Sequence, residues 1–274
     1  MSDVTIKYKG QSIATMDATG SKPLLTRGKF CEGDISVEYV KPSVGGGWTT
    51  EGIAAGAEPS GDLVITGQTI VGNAFRGKTQ ITSVTGANVT SIGDAAFADC
   101  QGLETVQFPA LVTINKTYIF QNCHGLETAN FPALTTTQNN SYLFYYLGSD
   151  ENSRKAVIVL PAISSLGSRA FDRVFADKVD LGPNLSTLTT DQFYDNLNRQ
   201  TVGTLILRRT ASIVSAVSKD AIKGLRDVYV PSALIADYEA ATNWVDRVTA
   251  GFITFHAIEG SNYENSYADG TPIT

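Results

Sequence analysis

The chain has 274 residues, of which 18% are charged and 42% hydrophobic, so it is too apolar and too weakly charged to be disordered. Gly, Thr, Ser and Asn make up about a third of it, while Lys and Glu are too few for a helical bundle. Thr favours strands and Gly favours turns, so the composition predicts β structure with many short turns. A formal net charge of −6 without basic blocks argues against non-specific nucleic-acid binding, which needs clustered cations.

The N-terminal residues have the pattern of a small all-β unit. Two segments, VTIKYKGQSIATM and LLTRGKFCEGDISVEYV, alternate polar and apolar residues around turn signals such as Lys9-Gly10, which predicts two hairpins. The run KPSVGGG that follows is typical of a linker. We therefore assign residues 1–41 to a small all-β attachment module and residues 42–60 to a linker.

An internal repeat occupies most of the remaining chain. The segments AFADCQGLETVQFPALVTI and IFQNCHGLETANFPALTTT align without gaps, 23 residues apart. Weaker copies follow the same pattern, each with one anchor residue, at Phe75, Phe97, Phe120, Phe144, Phe171, Phe193 and Ile222. Each anchor precedes a short β-prone segment. A period near 23 is that of a leucine-rich solenoid, so we predict about seven repeats over residues 61–230.

Stacking of these repeats is required, because one repeat of this length cannot bury its own apolar stripe. Phe97, Phe120 and Phe144 are expected to stack as an aromatic ladder. Cys100 and Cys123 occupy equivalent turns and should be neighbours. A disulfide bridge between them is compatible with this placement, but buried free thiols are favoured, since Cys often serves as a small hydrophobic residue.

The C-terminal region does not repeat. Residues 232–242 predict a helix with Ser232 as its N-cap, and residues 252–258 predict a strand. The predicted apolar face of the helix consists of Leu234, Ile235, Tyr238 and Ala241. Residues 231–258 are expected to cap the open end of the solenoid, which a repeat protein requires. Residues 259–274, ending in GSNYENSYADGTPIT, are expected to be flexible unless a partner orders them.

Two parts of the chain carry a family resemblance: the best repeats, around IGDAAFADCQGLETVQFP, and the end of the array, DVYVPSALIADYEAATNW. Both resemble the BspA-like leucine-rich repeat family of bacterial and protist surface proteins, over about residues 61–250. The resemblance implies a leucine-rich repeat solenoid with a short parallel β-sheet on one face and no enzymatic activity. Family members are mostly implicated in adhesion or protein binding.

The two predicted N-terminal hairpins carry a second, less specific resemblance. VTIKYKGQSIATM and LLTRGKFCEGDISVEYV resemble a small β module of structural and tail-associated proteins in phages and prophages of Gram-positive gut bacteria. Secreted adhesins carry a signal peptide and often a wall anchor, and the sequence shows the pattern of neither. Virion proteins need no signal, because virions assemble in the cytoplasm and leave by lysis. We therefore expect localisation to a virion, with the bacterial cell surface as the alternative.

Residues that could support catalysis or metal binding are scarce. The three cysteines lack CxxC spacing, and neither His124 nor His256 lies near a nucleophile signature. Carboxylate pairs such as Asp177 and Asp180 are interpreted as solvated charges. The apolar runs are a few residues long, far short of a membrane span. We expect no catalytic residues, no metal, no cofactor and no membrane or nucleic-acid partner.

One face of the predicted sheet is the candidate binding surface. Side chains alternate along a strand, so the neighbours of the inward-pointing Val106 and Phe108 should point outward. This register gives eleven candidate residues, Thr105, Gln107, Thr128, Asn130, Val157, Val159, Lys178, Asp180, Thr204, Ile206 and Tyr229. One end of the face is rich in hydroxyl and amide groups, which suit a glycan or a protein loop. At the other end, exposed apolar side chains either mark an interface or merely stabilise the sheet.

Three functions are compatible with these features. We favour a non-enzymatic phage or prophage virion protein, tail- or capsid-associated, whose solenoid face binds a protein or glycan on the bacterial host or other virion subunits. The alternative is a bacterial cell-surface adhesin of the same repeat family. A hydrolase of the bacterial wall is the third, but the sequence shows no nucleophile and base in a recognisable arrangement. A homo-oligomer is compatible with the first two functions.

Overall fold

A computed structural model describes the backbone of three strands before residue 59 and, in full, residues 59–138, 141–148, 155–195 and 199–273. Its strands are β1 (Val4–Tyr8), β2 (Gln11–Met16), β3 (Gly47–Thr50), β4 (Gly61–Ile65), β5 (Thr69–Ile70), β6 (Ile81–Thr85), β7 (Ser91–Ile92), β8 (Thr105–Gln107), β9 (Thr113–Ile114), β10 (Thr128–Asn130), β11 (Thr136–Thr137), β12 (Ala156–Leu160), β13 (Ala176–Leu181), β14 (Thr187–Leu188), β15 (Val202–Leu207), β16 (Ser215–Ala216), β17 (Asp227–Val230) and β18 (Thr254–Ala257). Its helices are α1 (Ile235–Ala240) and α2 (Trp244–Thr249), with 3-10 turns at Lys219–Ile222 and Ser232–Leu234.

Ten of the described strands form one parallel sheet, in the order β3-β4-β6-β8-β10-β12-β13-β15-β17-β18. Equivalent residues of successive repeats pair with one another: Val106 lies opposite Ala129, which in turn lies opposite Ile158. The shorter strands pair in separate ladders, β5 with β7, β9 with β11 and β14 with β16. The described residues thus form a parallel β-solenoid of about eight turns, which confirms the predicted leucine-rich repeat architecture.

Two of the N-terminal predictions, the first hairpin and the linker, can be compared with the structure. β1 and β2 pair antiparallel, with Tyr8 opposite Gln11, as expected for the first hairpin. The second predicted hairpin lies outside the described residues, so the small all-β module over residues 1–41 stays a prediction. β3 lies inside the range 42–60 that we assigned to a linker, and it pairs in parallel with β4. The parallel sheet therefore begins earlier than the repeat pattern indicates.

The anchor phenylalanines form one continuous stack in the core. Ring centroids are 5.2 Å apart for Phe75 and Phe97, 5.6 Å for Phe97 and Phe120, and 5.7 Å for Phe120 and Phe144. The stack continues through Phe171 to Phe193, and all of these rings are buried. The predicted aromatic ladder is thus confirmed, and it runs through six consecutive repeats. Each ring fills the gap between its neighbours, so the rings stabilise the array jointly.

The turns around each anchor contain left-handed residues. Positive φ occurs two residues before the anchor at Asn73, Ala95, Tyr118, Tyr142, Arg169 and Asp191, and two residues after it at Asp99, Asn122, Tyr146 and Arg173. This conformation costs a non-glycine residue roughly 1–2 kcal/mol. In return, the backbone N–H of Asp99 donates to the carbonyl of Gln121 at 2.7 Å, and that of Asn122 to the carbonyl of Tyr145 at 3.0 Å. The turns are therefore hydrogen-bonded along the stack, as the strands are.

Cys100 and Cys123 are buried free thiols, so the alternative of a disulfide between them is wrong. The Cys100 Sγ–H donates to the carbonyl of Phe75 at 3.0 Å, and the Cys123 Sγ–H to the carbonyl of Phe97 at 3.1 Å. Each thiol thus bonds to the anchor of the preceding repeat. Burial raises the pKa of the Cys100 thiol to about 11 and that of Cys123 well above its ordinary value. Both thiols therefore remain protonated at neutral pH.

The C-terminal cap differs from its prediction in detail. The predicted helix begins with a 3-10 turn at Ser232–Leu234, and Ser232 does not cap it through its side chain. The backbone N–H of Ser232 instead donates to Glu259 Oε2 at 2.8 Å. The short helix α2 was not predicted. Its Trp244 indole N–H donates to the carbonyl of Val214 at 3.0 Å, while the Val214 N–H donates to the Tyr238 hydroxyl at 2.8 Å. These bonds attach the cap to the last full repeat.

Truncation of the central ring tests the aromatic ladder. Phe120→Ala should lower the free energy of unfolding by about 3–5 kcal/mol, because it leaves a cavity between two stacked rings. Val112→Ala is the control, since Val112 is 50% exposed, and should change stability by less than about 0.5 kcal/mol. Urea unfolding followed by circular dichroism measures both. A loss below about 1 kcal/mol for Phe120→Ala would show that the array does not depend on the ladder.

Candidate binding face

The parallel register arranges the outward side chains of the main sheet in two rows. One row runs through Thr85, Gln107, Asn130, Val159, Asp180, Ile206 and Tyr229. The other runs through Ser83, Thr105, Thr128, Val157, Lys178 and Thr204. Neighbouring strands are about 4.8 Å apart, so the residues of a row are within reach of a single ligand. All eleven predicted residues lie in these two rows.

Both rows continue on β4 to the exposed Asp62 and Val64. Next to them lies an accessible, uncharged surface on β6, β8 and β10, which we call the open half-face. It consists of Ser83, Thr85, Thr105, Gln107, Thr128 and Asn130. Gln107 is exposed and the other five are half-buried. The Ser83 hydroxyl donates to Asp62 Oδ1 at 2.7 Å, which fixes one edge of the surface. The open half-face therefore offers hydroxyl and amide groups that both donate and accept hydrogen bonds.

The remainder of the rows, on β12 to β17, is called the closed half-face and runs from Val159 to Tyr229. The exposure of its residues differs from the prediction. Val159, Asp180 and Ile206 were expected to be exposed, but they are 3%, 0% and 0% exposed. The reason is that residues 259–273, here called the C-terminal segment, contact Asp180 and Tyr229. Ile206 lies between these two residues in the row, and Val159 lies on the other side of Asp180. The expectation of a flexible tail is therefore wrong.

A buried ion pair holds the C-terminal segment on the sheet. Arg208 makes a bidentate pair with Asp180, Nε to Oδ1 and Nη2 to Oδ2, both at 2.7 Å. Its Nη1 donates to the carbonyl of Tyr263 and its Nη2 to that of Ser266, each at 2.8 Å. Asp180 Oδ2 accepts the backbone N–H of Ala268 at 2.9 Å. Burial raises the pKa of Asp180, and the Arg208 guanidinium opposes that rise.

Aromatic contacts complete the closed half-face. The Tyr263 ring packs edge-on against Tyr229, with centroids 4.8 Å apart, and Tyr229 also stacks on the His256 ring, again at 4.8 Å. His256 Nε2 is 2.9 Å from Asp227 Oδ1. The Tyr267 ring lies beside the guanidinium of Arg208, 4.9 Å from centroid to Cζ. On the sequence alone, Arg208 and Arg209 are interpreted as part of a mixed surface, because two Arg residues just after a strand look like ordinary surface charges.

A second surface feature lies at the turn edge of the solenoid, and we call it the tyrosine–arginine cluster. The Tyr142 ring stacks on Tyr118 with centroids 4.9 Å apart. Its hydroxyl accepts a 2.6 Å hydrogen bond from Arg169 Nη1, while Arg173 Nη1 donates to Tyr146 at 2.9 Å. Tyr145 joins them, with its ring edge-on to Tyr142. The sequence does contain a signal for this cluster. At the positions two residues before and after the anchors, small residues give way to Tyr and Arg in adjacent repeats.

Asp172 lies beneath this cluster. It is 4% exposed, and its Oδ1 has no hydrogen-bond partner, although Arg173 Nε is 3.9 Å away. Burial raises the pKa of Asp172 from 3.8 to about 6, and the charges of Arg173 and Arg169 oppose the rise only in part. The ionised carboxylate is therefore an unfavourable group in this fold at neutral pH.

The described ranges carry no group of three His, Cys, Asp or Glu side chains that could hold a metal ion. None of the described helices is long and apolar enough to cross a membrane. His124 and His256, the two histidines considered for catalysis, lie in separate repeats, and His256 is paired with Asp227.

Comparison with known proteins identifies the repeat. Residues 68–200 match the model of the BspA type leucine rich repeat region in six copies. The predicted resemblance is therefore confirmed for this part of the chain. No curated protein matches the sequence. The phage-like resemblance of residues 1–41 finds no support in these comparisons and stays a prediction.

Two solved structures align with the chain. A leucine rich repeat protein of T. pallidum covers 82% of this chain over 98% of its own length, with a TM-score of 0.45 and 16% identity. A leucine rich cell surface protein from Faecalibacterium prausnitzii A2-165 covers 54% of this chain over 33% of its own length, with a TM-score of 0.32 and 14% identity. This chain therefore spans about a third of the second protein.

The pH dependence of stability tests whether the fold raises the pKa of the Asp172 carboxyl group. Because its pKa is raised in the fold, its stabilising contribution is present below about pH 4 and is lost as the pH rises through about 6. Asp172→Asn should therefore raise the free energy of unfolding near pH 8 by up to about 3 kcal/mol and change it little near pH 4. The exposed Asp237→Asn change is the control. Equal effects of Asp172→Asn at both pH values, in urea unfolding, would contradict the assignment.

Proposed function

We propose that this chain is a non-enzymatic binding protein whose open half-face engages a protein or glycan on a cell surface. The observation that carries the proposal is the continuous, accessible and uncharged surface on β6, β8 and β10, formed by consecutive BspA-type repeats. A row of hydroxyl and amide groups about 4.8 Å apart can bond to a polar ligand at several points at once. Similarity to the BspA-type repeats supports a cell-surface adhesin, since members of that family are mostly implicated in adhesion.

The second candidate function is that of a virion protein that uses the same binding surface. It rests on the resemblance of residues 1–41 to phage tail-associated modules, which the structure leaves undescribed beyond β1 and β2. Cell fractionation separates the two candidate functions: an adhesin is found on the surface of uninfected cells, and a virion protein copurifies with phage particles. Val159, Asp180 and Ile206 are buried, so the proposed contact surface does not include them.

Substitution on the open half-face tests the binding surface. Gln107→Glu with Asn130→Asp should weaken binding at least about tenfold, because each change replaces two N–H donors by a charged oxygen without changing the size of the side chain. The partner is first identified on arrays of glycans and extracellular proteins, and its affinity is then measured by surface plasmon resonance.

The matched control is Gln101→Glu with Asn115→Asp, which makes the same chemical changes at exposed residues away from the sheet face. It should leave the affinity within about twofold of the parent. If the control weakens binding as much as the face variant does, net charge rather than the open half-face determines affinity, and the proposal is wrong.

A further inference from the structure

The C-terminal segment is attached by few contacts and buries little of itself. None of its side chains from 259 to 273 is fully buried, whereas Asp180 and Ile206 beneath it are. Segments with few buried apolar groups open locally at a much smaller free energy than the whole fold. The C-terminal segment is therefore expected to leave the sheet without unfolding of the solenoid.

The contacts that hold the segment are largely directed at its backbone. Arg208 donates to the carbonyls of Tyr263 and Ser266, and Asp180 accepts the N–H of Ala268. The main side-chain contacts are the rings of Tyr263 and Tyr267. A site of this kind recognises a short polypeptide that presents backbone groups and tyrosines in the right order, whether or not the polypeptide belongs to the same chain.

Opening of the segment would leave a surface that favours re-occupation. Ile206 would become exposed beside Tyr229, and the Arg208–Asp180 pair would lose three hydrogen bonds to the backbone of the segment. Exposed apolar area and incompletely bonded charged groups both make a bound state more favourable.

We propose that the surface formed by Asp180, Ile206, Arg208 and Tyr229 is a peptide-binding site, and that the C-terminal segment of a second copy of this chain is its partner. The segment shown in the structure already fits the site, so exchange between copies preserves its contacts with Asp180, Arg208 and Tyr229. The segment leaves the cap at Gly260, whose φ is +78°. A change of direction there breaks the two hydrogen bonds that Ser261 donates to the carbonyl of Ile258. In dilute solution the tethered segment occupies the site of its own chain, and exchange becomes competitive when copies are crowded.

Binding of a labelled peptide to the full chain tests this site. The probe is a synthetic peptide of residues 259–273 with a fluorophore, and fluorescence anisotropy measures its dissociation constant. Tyr263→Ala in the protein removes the ring that packs on Tyr229 from the tethered segment while leaving the site intact. This variant should bind the wild-type peptide roughly tenfold more tightly than the parent does. Asn262→Ala, also in the segment but exposed, is the matched control and should bind like the parent.

Changes in the peptide and in the site complete the test. A peptide carrying Tyr263→Ala should bind the Tyr263→Ala protein roughly tenfold more weakly than the wild-type peptide does. Adding Arg208→Gln to that protein should abolish binding, and a thermal melt establishes whether this variant is folded. Tyr229→Leu tests the site by a second route, because it keeps the ion pair and removes the aromatic contacts of Tyr229 with Tyr263 and His256. Failure of the Tyr263→Ala protein to bind the peptide, or binding that Tyr229→Leu leaves unchanged, would overturn the proposal.

The exchange of segments has its own readout. Analytical ultracentrifugation of the wild-type chain should show dimers whose fraction rises with concentration and falls when excess unlabelled peptide is added. Dimers that excess peptide leaves intact would contradict the exchange. The Gln107→Glu and Asn130→Asp variant should bind the peptide like its parent, so the failure of this proposal and the failure of the proposed function can be told apart.

Discussion

Stacking at the spacing of a β-sheet is the constraint on which the rest of this structure depends. A repeat of about 23 residues cannot bury its own apolar side chains, so each turn must place a matching residue against the next. The phenylalanine stack does this in the core, and the thiols of Cys100 and Cys123 do it beside the stack. In the turns, left-handed residues direct N–H groups along the array. The cost of that conformation is offset because an unpaired amide between two repeats would cost about as much.

The same constraint also determines the surface. A position that points outward in one repeat points outward in the next, so the chemistry of a row follows from the residues at that one position. Rows of Thr, Gln and Asn give the open half-face, and rows of Tyr and Arg give the tyrosine–arginine cluster at the turn edge. Because the strand pairing recurs from repeat to repeat, such a surface can change its ligand without a change in fold. This separation of scaffold and surface is the physical basis for a binding function.

Features that the repeat itself specifies could be predicted from the sequence, and features that depend on its ends could not. Periodicity alone located the parallel sheet, the anchor ladder and the neighbouring cysteines. It also placed Asp180 and Ile206 correctly in the outward rows, but it could not show that they are covered, because the cover comes from residues far away in sequence: Ala268 is 88 residues beyond Asp180. Helix α2 was missed because six residues are too few for a helical period to be recognised.

The covered half of the sheet face satisfies two opposing requirements. A solenoid needs its later strands, β13 to β17, to be apolar enough to stack firmly, yet an uncovered row with Ile206 and Tyr229 would form an exposed apolar patch prone to association. A permanent cover would bury that patch, but it would also make the proposed peptide-binding site inaccessible to any partner. A cover held mainly by backbone hydrogen bonds to a single Arg–Asp pair protects the patch, and the proposed exchange uses the small number of these bonds. The two halves meet at β12, where Val157 is half-buried and Val159 is buried. A ligand that contacts the open half-face and also needs the surface beneath the segment would favour the proposed opening, and by linkage opening would raise the affinity for that ligand by the same factor.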